Sequence, residues 1–421
     1  MFLHQLFFYL TILLLPTQLG LHGWPDWALV LGRRIDYLSP TLFLTDITCI
    51  ATLLMWIGSP HKTVKKLPWV LSWKTIALAF GMLVYVASNI FFSASPYVVI
   101  FRWLKVIEFV LFGYYIIQTK PSLAATSLVI TVSMMYSSVI TIMQFAFQHS
   151  IGGIFWYVGE RSFDASTAGI ARVDWCWLTA TNCMELLRPY ATFPHPNVLA
   201  GFLAITICIS LWQLLSHHIG SKNIRIWYWI TISVSCIALI LTFSRGVWLM
   251  SIIAILTMLG VLYKRTVTQT LSWILFISLA CIIMALPYFL SLMKQSESVS
   301  IRNELAIAAL AMWKSYPLIG VGLNAFLIHL PTVLPARYLF FLQPPHSIYL
   351  LILSELGIIG VGSIGWFVYS LIKKLLRLPN KLPLIILLLY GLLGAIDHYP
   401  LTLQQGQLLT TFVVTLSFLS K

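Results

Sequence analysis

Runs of about twenty apolar residues, separated mostly by short turns, recur along nearly the whole chain. A helix that crosses the roughly 30 Å hydrocarbon core of a bilayer needs about 20 such residues. Backbone amides in lipid must be paired within the segment that carries them, so such runs have few alternatives to helix. Twelve runs read as spanning helices, at about 2–19, 38–57, 72–92, 97–117, 123–146, 196–215, 226–243, 246–263, 269–290, 345–372, 382–398 and 404–420. The first lacks the basic start and small-residue cleavage site of a signal peptide and is read as a span. Only 9% of the 421 residues are charged, against about 25% in soluble domains. The expected fold is all-α: a polytopic membrane helical bundle of about 12 transmembrane helices, with residues 1–421 forming a single integral membrane domain.

The net charge of +14 would point to nucleic acid in a soluble protein, but its distribution points to topology. Fourteen of the 26 Lys and Arg fall in connections on one side: Lys62, Lys65, Lys66, Lys74, Lys120, Lys222, Arg225, Lys264, Arg265, Lys373, Lys374, Arg377, Lys381 and Lys421, with no Asp or Glu among them. That is the positive-inside bias. Both termini are then cytoplasmic, the bilayer is a partner and nucleic acid is not. Arg33 and Arg34 on the outer side run against the rule.

Two outer connections are long, 147–195 and 291–344. Loops beyond roughly 12–15 residues are usually functional or disordered. The second has too many aromatic and aliphatic residues for disorder, and it carries Lys294, Arg302, Lys314 and Arg337. A short amphipathic helix is expected near 301–314, with Ile301, Leu305, Ala308 and Met312 on one stripe and Ser300 as N-cap. Arg302 in its first turn opposes the helix dipole by roughly 0.3–1 kcal/mol. It is either solvated near Glu304 or aimed at an anion.

Arg245 lies in LTFSRGVWL, in a turn with room for only Ser244, Arg245 and Gly246. It either snorkels to lipid headgroups or binds phosphate, whose oxygens match the guanidinium fork. His346 follows Pro344–Pro345 and opens a span. It is either a structural hydrogen-bonder or a general base, for which an ordinary pKa of about 6.5 is suitable. Glu355, nine residues on, falls on the opposite helical face and reads as a packing contact. Further candidates for binding substrate are Arg188, His195 and Asn197 in RPYATFPHPNVLAG, Asp397 and His398 in DHYPLTLQQGQ, and Arg337. Lys105 and Glu108 read as an i,i+3 ion pair within a span. Cys49, Cys208, Cys236 and Cys281 read as packing residues. Cys176 and Cys183 share the first outer loop and are either a disulfide or two free thiols. No P-loop, dinucleotide fingerprint, Asp-x-Asp or His-x-x-x-His occurs, so no cofactor or metal is expected.

Four stretches resemble the O-antigen ligase and O-antigen polymerase superfamily of polytopic membrane glycosyltransferases: TFPHPNVLAGFLA at 192–204, LTFSRGVWL at 241–249, Arg302 through Trp313 to YPLIGVGLNAF at 316–326, and HSIYLLILSELGIIG at 346–360. The resemblance implies a C-type glycosyltransferase-like bundle in a bacterial inner membrane, with its active site on the extracytoplasmic face. It implies transfer of a glycan from a polyprenyl (undecaprenyl) pyrophosphate carrier to a hydroxyl of a glycan, a lipid A–core or a protein acceptor, without metal or nucleotide. Matched motif by motif, Arg245, Arg302 and His346 correspond to the essential Arg, Arg and His. Ser347 departs from the Asn that many members carry after the histidine. Arginines aimed at the leaving pyrophosphate would stabilise its charge, His346 would take the acceptor's proton, and attack opposite the leaving group would invert the anomeric centre. Ligase and polymerase share these motifs. The competing class is a transporter or flippase of a lipid-linked oligosaccharide, whose usual repeats and mid-membrane helix breaks are not seen in the sequence.

Overall fold

The computed structural model describes residues 2–59, 73–176, 183–216, 219–263, 297–334 and 342–419. The expected span at 269–290, Cys281 and Arg337 lie outside the described residues, as do the side chains of Cys176 and Cys183.

Helix α1 (Leu3–Leu13) leads into two small antiparallel ribbons, β1 (Gly20–His22) with β4 (Thr41–Phe43) and β2 (Leu29–Val30) with β3 (Arg33–Arg34). Helices α2 (Leu44–Ile57), α3 (Trp73–Phe91), α4 (Pro96–Thr119) and α5 (Leu123–Phe147) follow. A 3-10 turn (Gly153–Val158) and a hairpin of β5 (Arg172–Cys176) and β6 (Cys183–Leu187) precede α6 (Pro196–Leu215), α7 (Lys222–Leu241) and α8 (Arg245–Leu262). After the undescribed stretch come α9 (Glu297–Ser315), α10 (Phe326–Val333), α11 (Ile348–Arg377), α12 (Leu382–Ile396), the single turn α13 (Tyr399–Thr402) and α14 (Gln404–Thr415).

The protein is mostly helical, and five described helices, α5, α6, α7, α8 and α11, are long and apolar enough to cross a membrane. Four expected spans contain shorter helices: α1, α2, α12 and α14 have 11, 14, 15 and 12 residues. Helix α1 stops before Pro16, β4 occupies the start of the second run, and the hydrophobic C-terminal stretch is interrupted by the α13 turn.

Helix α6 is the centre. It is apolar all round, and 89% of its most apolar window is buried, as expected for a core helix. α5, α7, α8 and α12 pack around it. Where hydrophobicity cannot distinguish protein from lipid, hydroxyls act as glue, at roughly 0.6 kcal/mol per bond. Ser127 bonds Tyr228 at 2.7 Å, Ser138 bonds Ser235 at 2.8 Å, and Trp227 Nε1 donates to Thr131 at 2.7 Å, joining α5 to α7. Lys105 pairs with Glu108 at 3.1 Å as expected and also with Asp46 of α2.

The absence of a mid-membrane helix break, expected from the sequence, is corrected. Helix α11 breaks at Gly357, which takes φ 62°, ψ −169°, a conformation open essentially to glycine. The freed backbone groups are bonded to residues 317–322: Val321 N donates to Ser354 O (2.9 Å), Gly322 N to Glu355 O (3.1 Å), Ile358 N to Pro317 O (2.9 Å) and Ile359 N to Leu318 O (3.2 Å). Irregular backbone within an apolar helix is tolerated when protein covers it. These groups are therefore occupied by the chain itself, unlike a transporter's unwound helix, which offers them to cargo.

Helix α9 lies where a short amphipathic helix was expected. Leu305, Ala308 and Met312 are buried on its inner face and Ile301 is half-buried. It starts earlier than expected, so Ser300 is an internal residue and not its N-cap. Glu355 Oε1 accepts from Phe326 N at the start of α10 (3.3 Å), a packing role.

Candidate functional site

The site forms where four chain turns meet at one end of the bundle. Each turn is set by its local sequence. His195 caps α6: its Nδ1 accepts from Asn197 N at 3.1 Å, and Pro196 fills the first helical position, where no amide is required. Helices α7 and α8 reverse within Thr242–Ser244. Phe243 adopts a left-handed φ of 53°, Ser244 N donates to Thr242 Oγ1, and Trp248 Nε1 donates to Leu239 O at 2.8 Å. The reversal places Arg245 at the exposed first position of α8.

A hydrogen-bonded bracket ties these turns together. Arg188 Nε donates to Thr242 O (2.8 Å), and its Nη2 donates to Asn197 Oδ1 and Ser244 Oγ, both at 2.9 Å. Ser244 Oγ donates to Asn197 Oδ1 (2.9 Å), and Asn197 Nδ2 donates to Asp397 Oδ2 (3.1 Å). The other Asp397 oxygen accepts from His398 N at 2.8 Å. Arg188 and Asn197 are thus engaged with the fold.

His346 lies two residues before α11, next to its N-cap Ser347, and is half-buried. Its ring centroid is 5.5 Å from that of His398. His398 contacts Thr402 Oγ1 through Nδ1 at 2.8 Å, and Tyr37 packs edge-on against it at 5.4 Å. The Nδ1 of His346 is buried without a hydrogen-bond partner among the described residues. Arg302 is exposed on α9 and within electrostatic range of Arg188, His346 and His398. Arg245 acts on Arg188 in the same way. Burial pushes the His346 imidazole down to about 4, with Asp397 opposing that shift and His398 and Arg302 adding to it. Burial pushes His195 down to about 3. Both rings are neutral near pH 7.

His346, Asp397 and His398 offer ligand atoms within 4.8 Å of one another. A dication there would sit beside Arg302, which already disfavours positive charge on both imidazoles. The set is better suited to a neutral base held beside a carboxylate. The cluster of three guanidiniums and one carboxylate favours an anionic ligand.

Eight of the nine residues singled out in the sequence therefore lie together, and Arg337 is the one outside the described residues. The structure adds Thr242, Ser244, Thr402 and Tyr37. Ser244 could have been found as the polar neighbour of Arg245 in its turn; Tyr37 carries no such signal. Residues 230–365 match the protein-family model described as O-antigen ligase. Over these residues the chain is similar to that family. Arg245, Arg302 and His346 lie within the matched segment, while Arg188, His195, Asn197, Asp397 and His398 lie outside it. No curated protein and no solved structure matches the chain.

Proposed function

We propose that this membrane protein is a glycosyltransferase of O-antigen ligase or polymerase type. It moves a glycan from a polyprenyl pyrophosphate carrier to an acceptor hydroxyl at the extracytoplasmic face of a bacterial inner membrane, within a bundle of about twelve spans. The observation that supports this reading best is that Arg245, Arg302 and His346, from separate parts of the matched segment, share one electrostatic cluster: Arg245 and Arg302 both act on Arg188, and Arg302 and Asp397 both act on His346. Arg245 and Arg302 bind the pyrophosphate and stabilise the charge it gains as the bond from the anomeric carbon to the phosphate oxygen breaks. The leaving oxygen keeps the electron pair. His346 takes the proton of the acceptor hydroxyl as that oxygen bonds to the anomeric carbon from the opposite side, inverting it. Asp397 steadies the imidazolium that results, and Arg188 and Asn197 hold the Arg245 turn and Asp397 in place. Chelators leave the rate unchanged.

The test is purified protein in detergent with a polyprenyl-pyrophosphate-linked sugar and an acceptor. A new glycosidic bond, found by mass spectrometry, is expected. Movement of the carrier across a bilayer without a new bond would mean a flippase instead. In a deletion strain, a single unit left attached to the surface identifies a polymerase; loss of all attachment with build-up of lipid-linked polymer identifies a ligase.

A further inference from the structure

The 3-10 turn Gly153–Val158, in the connection after α5, shows large apolar side chains to the outside. Ile154, Trp156 and Tyr157 are 74%, 55% and 68% exposed. With three residues per turn in a 3-10 helix, Phe155 and Val158 share the inner face, and both pack on the main core. The outward set is therefore not an accident of a loose loop. Glu160, buried, fixes the turn: its carboxylate accepts from Ile151 N at 2.7 Å, Gly152 N at 2.8 Å and Gln144 Nε2 at 2.7 Å. Gln18 Nε2 donates to Gly159 O at 3.0 Å and fastens the far end to the β1 approach. Trp156 and Tyr157 meet edge-to-face at 5.3 Å.

A fixed, exposed apolar patch marks a contact surface. Its occupant is indicated by what it continues. Leu128, Val132, Val139 and Phe147 are exposed along one stripe of α5, a helix long and apolar enough to span. With α5 crossing the bilayer, that exposed apolar stripe would face lipid, and the turn begins six residues after Phe147. No charged residue occurs from Ser150 to Gly159. Trp and Tyr with an apolar neighbour are the composition of a membrane–water interface.

We propose that Ile154, Trp156 and Tyr157 insert into the lipid headgroup zone as an interfacial anchor, roughly 5–10 Å into the headgroup and acyl boundary. The anchor holds the 147–195 connection at a set height above the bilayer. Gln144, which bonds Glu160, also accepts from Tyr190 N (2.9 Å) and Ala191 N (2.7 Å), and the Tyr190 ring packs edge-on against His195. Bilayer contact and the α6 end of the site thus share one rigid base. The contact rests on α5 crossing the bilayer, and the leaflet assigned to the anchor rests on the proposed topology; neither rests on the transferase reaction.

Nanodiscs of phosphatidylcholine brominated near the glycerol end, or near the middle of the acyl chains, provide the test. The difference in fluorescence between the wild-type protein and Trp156→Phe isolates this indole among the 16 tryptophans. Shallow bromines should remove most of the Trp156 emission and deep bromines much less. If neither lipid quenches it while aqueous iodide does, the side chain faces water and the anchor is refuted. Protection from iodide by soluble glycan, without lipid quenching, would also refute it and make the patch a sugar platform. Lipid quenching with no transferase activity would leave the anchor standing and remove the proposed function alone.

Discussion

The two halves of the site handle their polar groups in opposite ways. In the α6 half, Arg188, Asn197, Ser244 and Asp397 saturate one another, and little of Asn197's hydrogen-bonding capacity is left for a ligand. In the α9–α11 half, Arg302 is exposed and His346 keeps a buried nitrogen without a partner among the described residues. A saturated network resists movement, and a buried, unsatisfied donor or acceptor costs roughly 1–3 kcal/mol until something meets it. Position is thus set on one side of the cluster, while chemistry is offered on the other. Substitutions should separate the two, the first by stability and the second by rate.

The largest expected effect tests the open half. His346→Ala should slow glycan transfer about 10²–10⁴-fold, the usual share of a general base, with donor binding nearly intact. Near-normal transfer by folded variant protein would remove the base and leave only a binding site. Arg302→Ala should next weaken use of the lipid-linked donor, seen as a raised KM, with stability within about 0.5 kcal/mol because the side chain is exposed. Arg245→Lys keeps the charge but loses the planar fork, and should lower activity too.

The saturated half should answer in melting temperature. Asn197→Ala leaves Asp397, Ser244 and Arg188 each short of a partner, and should destabilise by about 1–3 kcal/mol per unsatisfied group, read from thermal unfolding in detergent. A fully stable, slow Asn197→Ala would invert the comparison and make Asn197 a ligand. The pH profile sharpens it further. Because burial holds His346 near 4, the rate should stay flat from neutrality down to about pH 5 and fall below that as the base protonates. Asp397 raises this pKa, so Asp397→Asn should move the acid limb to still lower pH. A limb centred near 6.5 would show a ring as solvated as free histidine. The smallest effect concerns the hairpin. Cys176 and Cys183 are direct cross-strand partners in register, and non-reduced peptide mapping should find them joined, with little change in activity on reduction.

Much of the fold was legible because lipid imposes one strong rule, and α5 to α8 and α11 lie close to the apolar runs that announced them. The short helices were less legible, because periodicity does not report where a chain leaves the helix for a ribbon, as β4 does before α2. In the site, Arg245, Arg302 and His346 stood out as polar types in apolar or turn settings. Their partners did not. Asn197 and Asp397 are some two hundred positions apart in the chain, and no local pattern reports such a bond. Tyr37 and Thr402 are ordinary residues made specific by packing against His398. The break at Gly357 was missed for a related reason: its glycine reads like any other in an apolar run, and the segment that fills it lies in another motif.

That filled break bears on how such chains diverge. A Cβ at Gly320 would come within 2.3 Å of the Glu355 carbonyl carbon, and one at Gly357 within 2.4 Å of that of Leu318. Both glycines also hold positive φ. The YPLIGVG stretch and the middle of α11 are two edges of one joint, so neither can drift alone. In chimaeras built from related chains, the two stretches should be exchangeable as a pair, and swapping either by itself should unseat the other.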